Sequence, residues 1–212
     1  MKKREIVPII LIVLSFIIGL YMYNIVPDTM PSHWNAAGDA DAYAPKAVAL
    51  FVLPVIILVI YLITTLITRI EIYKENIKKS EVPYFRFRLA LVVFMFLLYI
   101  ATIIQVFRPF PMNYFIIPAM SFLFLSVAHL LKNIKRNFFI GFRTPWTISS
   151  EKVWNATNKA ASRFFFAYSF IMLLGLFFQH IAIFLVLLTM LVGIAALTYY
   201  SYRLYKLENK KY

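Results

Sequence analysis

Six apolar blocks, each near the length of a bilayer crossing, constrain this chain more than anything else in it. They fall at about 6–26, 47–68, 89–107, 114–131, 164–179 and 181–202. A helix needs about 20 mostly apolar residues to cross the hydrocarbon core of a membrane. Hydrophobic residues make up 62% of the chain and charged ones 15%, against roughly 45–50% and 25% in soluble domains. The expected fold is therefore all-α, a polytopic membrane bundle of six transmembrane helices. The first block follows Lys2-Lys3-Arg4, as a signal peptide would. It is too long for an h-region and ends in Tyr21-Met22-Tyr23-Asn24 without a small-residue cleavage site, so it is read as a retained span.

The charge sets an orientation. Of 22 Lys and Arg, 20 fall in the N-terminus, the 69–88 loop, the 132–163 loop and the C-terminal tail; only Lys46 and Arg108 fall on the other side. Basic residues accumulate in cytoplasmic loops, so both termini are expected in the cytoplasm. The net charge of +13 is then a topology signal and a contact with the lipid bilayer, and direct nucleic-acid binding is not expected. There are no cysteines, which excludes disulfides, thiolate catalysis and Cys-based metal sites.

The connectors differ in character. Residues 27–46 form the one sizeable extracellular loop, and its prolines, Gly38 and Asp residues favour turns. The second helix is expected to run on into the 69–88 loop as far as Pro83. Gln179-His180 is expected to turn the last two helices. Ser149 or Ser150 can cap a short interfacial helix starting at Glu151 and feeding the fifth span. On that helix Val153, Trp154, Thr157, Ala160, Ala161 and Phe164 share one face, opposite Lys152, Asn155, Lys159 and Arg163. No span carries Asp, Glu, Lys or Arg near its middle, which argues against a pump. Thr64, Thr65, Thr102, Gln105, Ser121, Ser126 and Ser169 are read as helix–helix hydrogen-bonding groups.

Two loops carry candidate functional residues. The extracellular loop brings His33, Asn35, Asp39 and Asp41 within nine residues. One reading is a general base or metal site. The other is a folded cap, with Asp and Asn bonding their own turns and Trp34 resting at the membrane interface; the cap is favoured and no metal or cofactor is assigned. The cytoplasmic loop at 132–163 holds Asn137, Gly141, Arg143, Thr144, Pro145, Trp146, Thr147, Glu151 and Trp154. Large aromatics in a polar connector suggest an anchor or a recognition surface. With no His, Cys or carboxylate pair, no catalytic set is complete there. Arg143 is read as a fork that can hold several acceptors at once.

These two loops resemble a known family. Pro31, His33, Trp34, Asn35, Gly38, Asp41 and Lys46 are similar to an extracellular-loop domain of unknown function of the Pro-x-His-Trp-Asn type. Asn137, Ile140, Gly141, Phe142, Arg143, Thr144, Pro145, Trp146, Thr147, Glu151 and Trp154 resemble the signature of the SdpI family. That family often has His a few residues after the second Trp, where this chain has Asn158. The resemblance implies a first helical hairpin over 1–68, with its loop at 27–46, and a four-helix SdpI-like region over 69–212. It further implies an immunity and signalling role: protection against a secreted toxin peptide met on the outer face, and sequestration of a cytosolic repressor on the inner face. The alternatives are a membrane enzyme acting on lipid or peptide through His33 and Asp39 or Asp41, and a small transporter.

Overall fold

The structure is a computed structural model describing residues 3–209, with side chains at all of these except 179–183. Lys2, Lys210 and Lys211 of the basic count lie outside the described residues. In chain order the elements are α1 (Ile6–Met22), β1 (Thr29–Trp34), β2 (Ala40–Pro45), α2 (Lys46–Ile70), α3 (Lys74–Lys79), α4 (Glu81–Phe107), α5 (Asn113–Asn133), α6 (Pro145–Ser149), α7 (Glu151–Leu173) and α8 (Gln179–Asn209). Helices α1, α2, α4, α5, α7 and α8 are long and apolar enough to cross a membrane. In lipid each backbone amide must be paired within its own segment, and a helix achieves this. The outward surface suits a lipid environment: Leu20, Phe122, Phe184 and Leu191 are each more than half exposed, a display that a water-soluble monomer avoids. The protein is an all-α, multi-pass membrane bundle.

The helices pack in succession. α1, α2 and α4 share a core of Ile12, Ile57 and Val92, continued towards one end by Leu50, Tyr99 and Ile103. α4 then packs on α5, α5 on α7 and α7 on α8. Hydroxyls tie α5 to α7: Ser121 Oγ donates to Ser169 O and Ser162 Oγ to Ala128 O, both at 2.7 Å. Thr64, Thr65 and Thr102 instead bond carbonyls of their own helices.

Several boundaries differ from expectation. α2 ends at Ile70, and α4 is the helix that runs beyond its apolar block, starting at Glu81. Pro83 does not stop a helix here. It is the third residue of α4, where no amide partner exists to be lost. The interfacial helix and the fifth span are one continuous helix, since Glu151–Leu173 contains neither Gly nor Pro. Ser150 caps it, its Oγ accepting from Val153 N at 3.2 Å. The buried and exposed faces of α7 fall as its periodicity requires: Val153, Trp154, Thr157 and Ala161 are buried, and Lys152, Asn155, Lys159 and Arg163 exposed. The last turn comes earlier than Gln179, at a 3-10 segment over Leu174–Leu176, and α8 starts at Gln179. The 27–46 loop is more than turns, since β1 and β2 pair antiparallel with an irregular register between Pro31 and Trp34.

Candidate functional site

The two motif-bearing loops lie at opposite ends of the bundle, joined along α5. At the first end the β1–β2 hairpin is fastened down. Met30 is fully buried. Trp34 is half-buried; its Nε1 donates to Gln105 Oε1 at 2.5 Å, and Gln105 Nε2 donates to Phe110 O at 2.9 Å. The turn is built by Asn35, whose Oδ1 accepts from Ala37 N and Asp39 N at 2.9 and 3.1 Å. Gly38 has φ +87°, and a Cβ there would come within 2.8 Å of Asn113 N. Its carbonyl accepts from Met112 N at 2.9 Å, while Asn113 Nδ2 donates to Ala36 O at 2.6 Å. The turn thus docks on the first residues of α5. Lys46 closes the loop through Asp28 at 3.0 Å and lies over the Tyr23 ring.

Of the residues considered for catalysis, His33 and Asp41 meet, and Asp39 serves the turn. His33 Nδ1 donates to Asp41 Oδ1 at 2.6 Å, and both side chains are exposed. Asp39 belongs to the turn, its amide and carbonyl both bonded to Asn35. Among the described residues no three His, Cys, Asp or Glu side chains gather at metal-binding spacing. Beside the hairpin, His33, Trp34 and Ala36 wall a cavity of about 360 Å³ against Ile116, Ile117 and Met172. Pro31 and Tyr43 border another of about 330 Å³.

At the second end the signature residues form a packed knot. Asn137 is fully buried. Its Oδ1 accepts from Phe139 N and Ile140 N, and its Nδ2 donates to the carbonyls of Lys135 and Ile140. This uses both donors and the oxygen of a side chain that buried polar chemistry requires to be satisfied. Gly141 has φ +124°, and a Cβ would approach the Trp154 ring to 2.9 Å. Trp154 is fully buried and donates to Ile134 O at 3.1 Å. Asn158 takes part too: Oδ1 accepts from Phe142 N at 2.8 Å and Nδ2 donates to Trp154 O at 3.1 Å. Thr144 and Thr147 form a reciprocal capping box with Pro145 opening α6, and Thr144 Oγ1 shares a hydrogen bond with Ser201 Oγ at 3.0 Å.

Other signature side chains are exposed or half-buried. Trp146 is half-buried against Tyr202, ring centroids 5.2 Å apart. Glu151 is exposed at the first residue of α7, where a carboxylate favours the helix dipole. Arg143 is exposed, and its Nη1 donates to Phe138 O, the one carbonyl bonded to the guanidinium among the described residues.

Two groups escaped the sequence reading. Glu71 is fully buried. Its carboxylate accepts from Tyr73 N at 3.0 Å and Phe138 N at 2.9 Å, so it clasps the α2–α3 link to the signature loop. Asn76 donates to Arg136 O and Lys135 N to Ser80 Oγ across the same seam. Glu71 was hidden within an alternating charge run that reads as solvated. The second group is Arg88, which is 6% exposed and pairs with Glu5 Oε2 at 2.8 Å. It sits on the residue before the apolar block begins, so it reads as a loop charge.

The chain is thus a multi-pass membrane bundle of six long helices with a fastened β-hairpin at one end and a packed Asn-Gly-Trp knot at the other. Residues 133–201 match the SdpI/YfhL protein family and residues 10–58 match a domain of unknown function, DUF1648. The chain is 27% identical over 210 residues to the immunity protein SdpI of Bacillus subtilis (strain 168), covering 98% of each chain. The chain is thus similar to the SdpI family in its later part and to DUF1648 in its earlier part. No solved structure matches it.

Proposed function

We propose that this chain is an immunity membrane protein that protects a cell from a secreted, membrane-active toxin peptide. The observation that carries the reading is the similarity, over 98% of both chains, to a protein named for immunity. In this reading the hairpin end faces outward and the basic end faces the cytoplasm, in keeping with the distribution of Lys and Arg. The role is one of binding and signalling, not catalysis.

The geometry supports a route between the two ends. The first part, 1–68, presents the hairpin, with Asp39, Asp41 and Tyr43 exposed and with His33, Trp34 and Ala36 walling an apolar cavity. A peptide carrying positive charge and an apolar face fits that combination. The second part, 69–212, holds the signature knot. Helix α5 meets both: Met112 and Asn113 hold the hairpin turn, and the Ile134 carbonyl just past its last turn accepts from Trp154. A peptide that shifts the hairpin therefore bears on α5, and α5 on the face presenting Arg143 and Trp146 to a cytosolic repressor. The test is expression in a host sensitive to cationic or amphipathic membrane-active peptides. The expected result is a raised inhibitory concentration for at least one such peptide. Unchanged sensitivity to the whole set, at verified membrane levels, would sink the reading.

A further inference from the structure

We propose that the cavity enclosed by the start of α1, the end of α2, α3 and the start of α4 is a binding site for a phosphate group, borne by an anionic lipid headgroup or free in solution. The cavity has a volume of about 470 Å³. Its charged lining is Arg4, Lys74, Lys78 and Arg88 against Glu5 and Glu81, two positive charges in excess. The acids are already engaged. Glu5 Oε2 takes Arg88 Nη2 at 2.8 Å and the Tyr61 hydroxyl at 3.1 Å, and Glu81 pairs with Arg4. Lys74 and Lys78 stand four residues apart on α3, so they share a face, and the buried Ile77 beside them lines the same cavity.

The second observation concerns donors left over. Arg88 is 6% exposed, yet its Nε is buried without a hydrogen-bond partner, and Arg4 Nε is in the same state. A buried guanidinium N–H without an acceptor is costly, and here both groups line the same cavity. Stacking of Arg88 at 5.0 Å over the Tyr61 ring, and of Arg4 over Phe85, holds the two planes in place. Planar forks of this kind match phosphate oxygens. The site also lies at the right level. Arg4 and Glu5 immediately precede α1, Thr65 and Thr68 are in the last turns of α2, and Glu81 to Arg88 are the first two turns of α4. Helix ends of a spanning bundle are where headgroup phosphates sit.

The test is thermal unfolding of the full chain in non-ionic detergent, titrated with phosphatidylglycerol, phosphatidylcholine or inorganic phosphate. Saturable stabilisation by phosphatidylglycerol, with none by phosphatidylcholine, assigns the site to an anionic headgroup. Saturable stabilisation by inorganic phosphate alone assigns it to the free anion. Joint Lys74→Ala and Lys78→Ala substitution should weaken the apparent affinity by at least about tenfold. Both lysines are exposed, so the variant keeps its fold. Lys152→Ala with Lys159→Ala, which removes the same charge from the exposed face of α7, should leave the affinity within about twofold. Absence of saturable stabilisation by either ligand would overturn the proposal. So would equal weakening in the two double variants, which would show a diffuse basic surface.

Discussion

At the scale of single residues, the signature is a device for packing a loop, with few of its members left over for recognition. Gly141 shows this most directly. Its φ of +124° is a region that L side chains rarely adopt, and a Cβ would press on the Trp154 ring. Gly141→Ala should therefore destabilise the protein by about 1–3 kcal/mol, seen as a lowered thermal midpoint in detergent. Arg143→Lys should behave oppositely. The side chain is exposed and its one hydrogen bond goes to a carbonyl, so stability should stay within about 0.5 kcal/mol of the parent. A large drop in its midpoint would mean that the guanidinium holds the loop together. The residue types of the motif were legible in the sequence, but their division into buried and exposed was not. Trp146 and Trp154 look alike in the chain, yet only Trp154 is fully buried, because α7 turns it onto the knot. Glu71 was illegible for a related reason: a carboxylate that accepts from a backbone amide 67 residues away leaves no local pattern.

At the scale of elements, apolar length identified every spanning helix but misjudged where charged ends stop. α4 and α7 both carry Lys or Arg in turns that extend beyond their apolar blocks, and such turns look like loops until a partner is seen. Arg88 has Glu5, and the charges of α7 occupy its exposed face. The hairpin escaped because its strands are short, rich in Pro and Ala, and packed against α2 and α4, which leaves no local pattern. Close packing of small residues was likewise invisible from one strand of sequence. Gly193 of α8 sits where a Cβ would fall directly onto the Phe164 ring of α7. In a membrane, where helices associate by close contact without a strong hydrophobic drive, such a glycine sets their separation. Gly193→Ala should push α8 from α7 and lower stability by about 1–3 kcal/mol. Faster limited proteolysis between the two helices would report the separation, and parent-like resistance with an unchanged thermal midpoint would show that Phe164 simply swings aside.

At the scale of the whole molecule, the proposed role needs the two ends on opposite sides of the membrane, and a chain without cysteine makes that easy to test. Ser32→Cys should react with an impermeant thiol reagent on intact cells, and Ser149→Cys only after lysis; both positions are exposed. The reverse pattern would invert the orientation and place the hairpin out of a secreted peptide's reach. With the hairpin outside, its charges become what an approaching peptide meets first. Asp28, Asp39 and Asp41 against Lys46 leave a net charge of −2. The structure separates these acids. Asp28 pairs with Lys46 and Asp41 with His33, whereas the contacts of Asp39 run through its backbone to Asn35. Asp39→Asn therefore removes charge while leaving the turn intact. Long-range attraction acts mainly on the rate of encounter and is screened within about 10 Å at 0.1 M salt. The variant should thus protect less well than the parent at low ionic strength, and the two should converge as salt rises. Equal protection by Asp39→Asn and parent at every ionic strength, at matched membrane levels, would remove this carboxylate from recognition and leave the apolar cavity beside His33 and Trp34 as the surface the peptide meets.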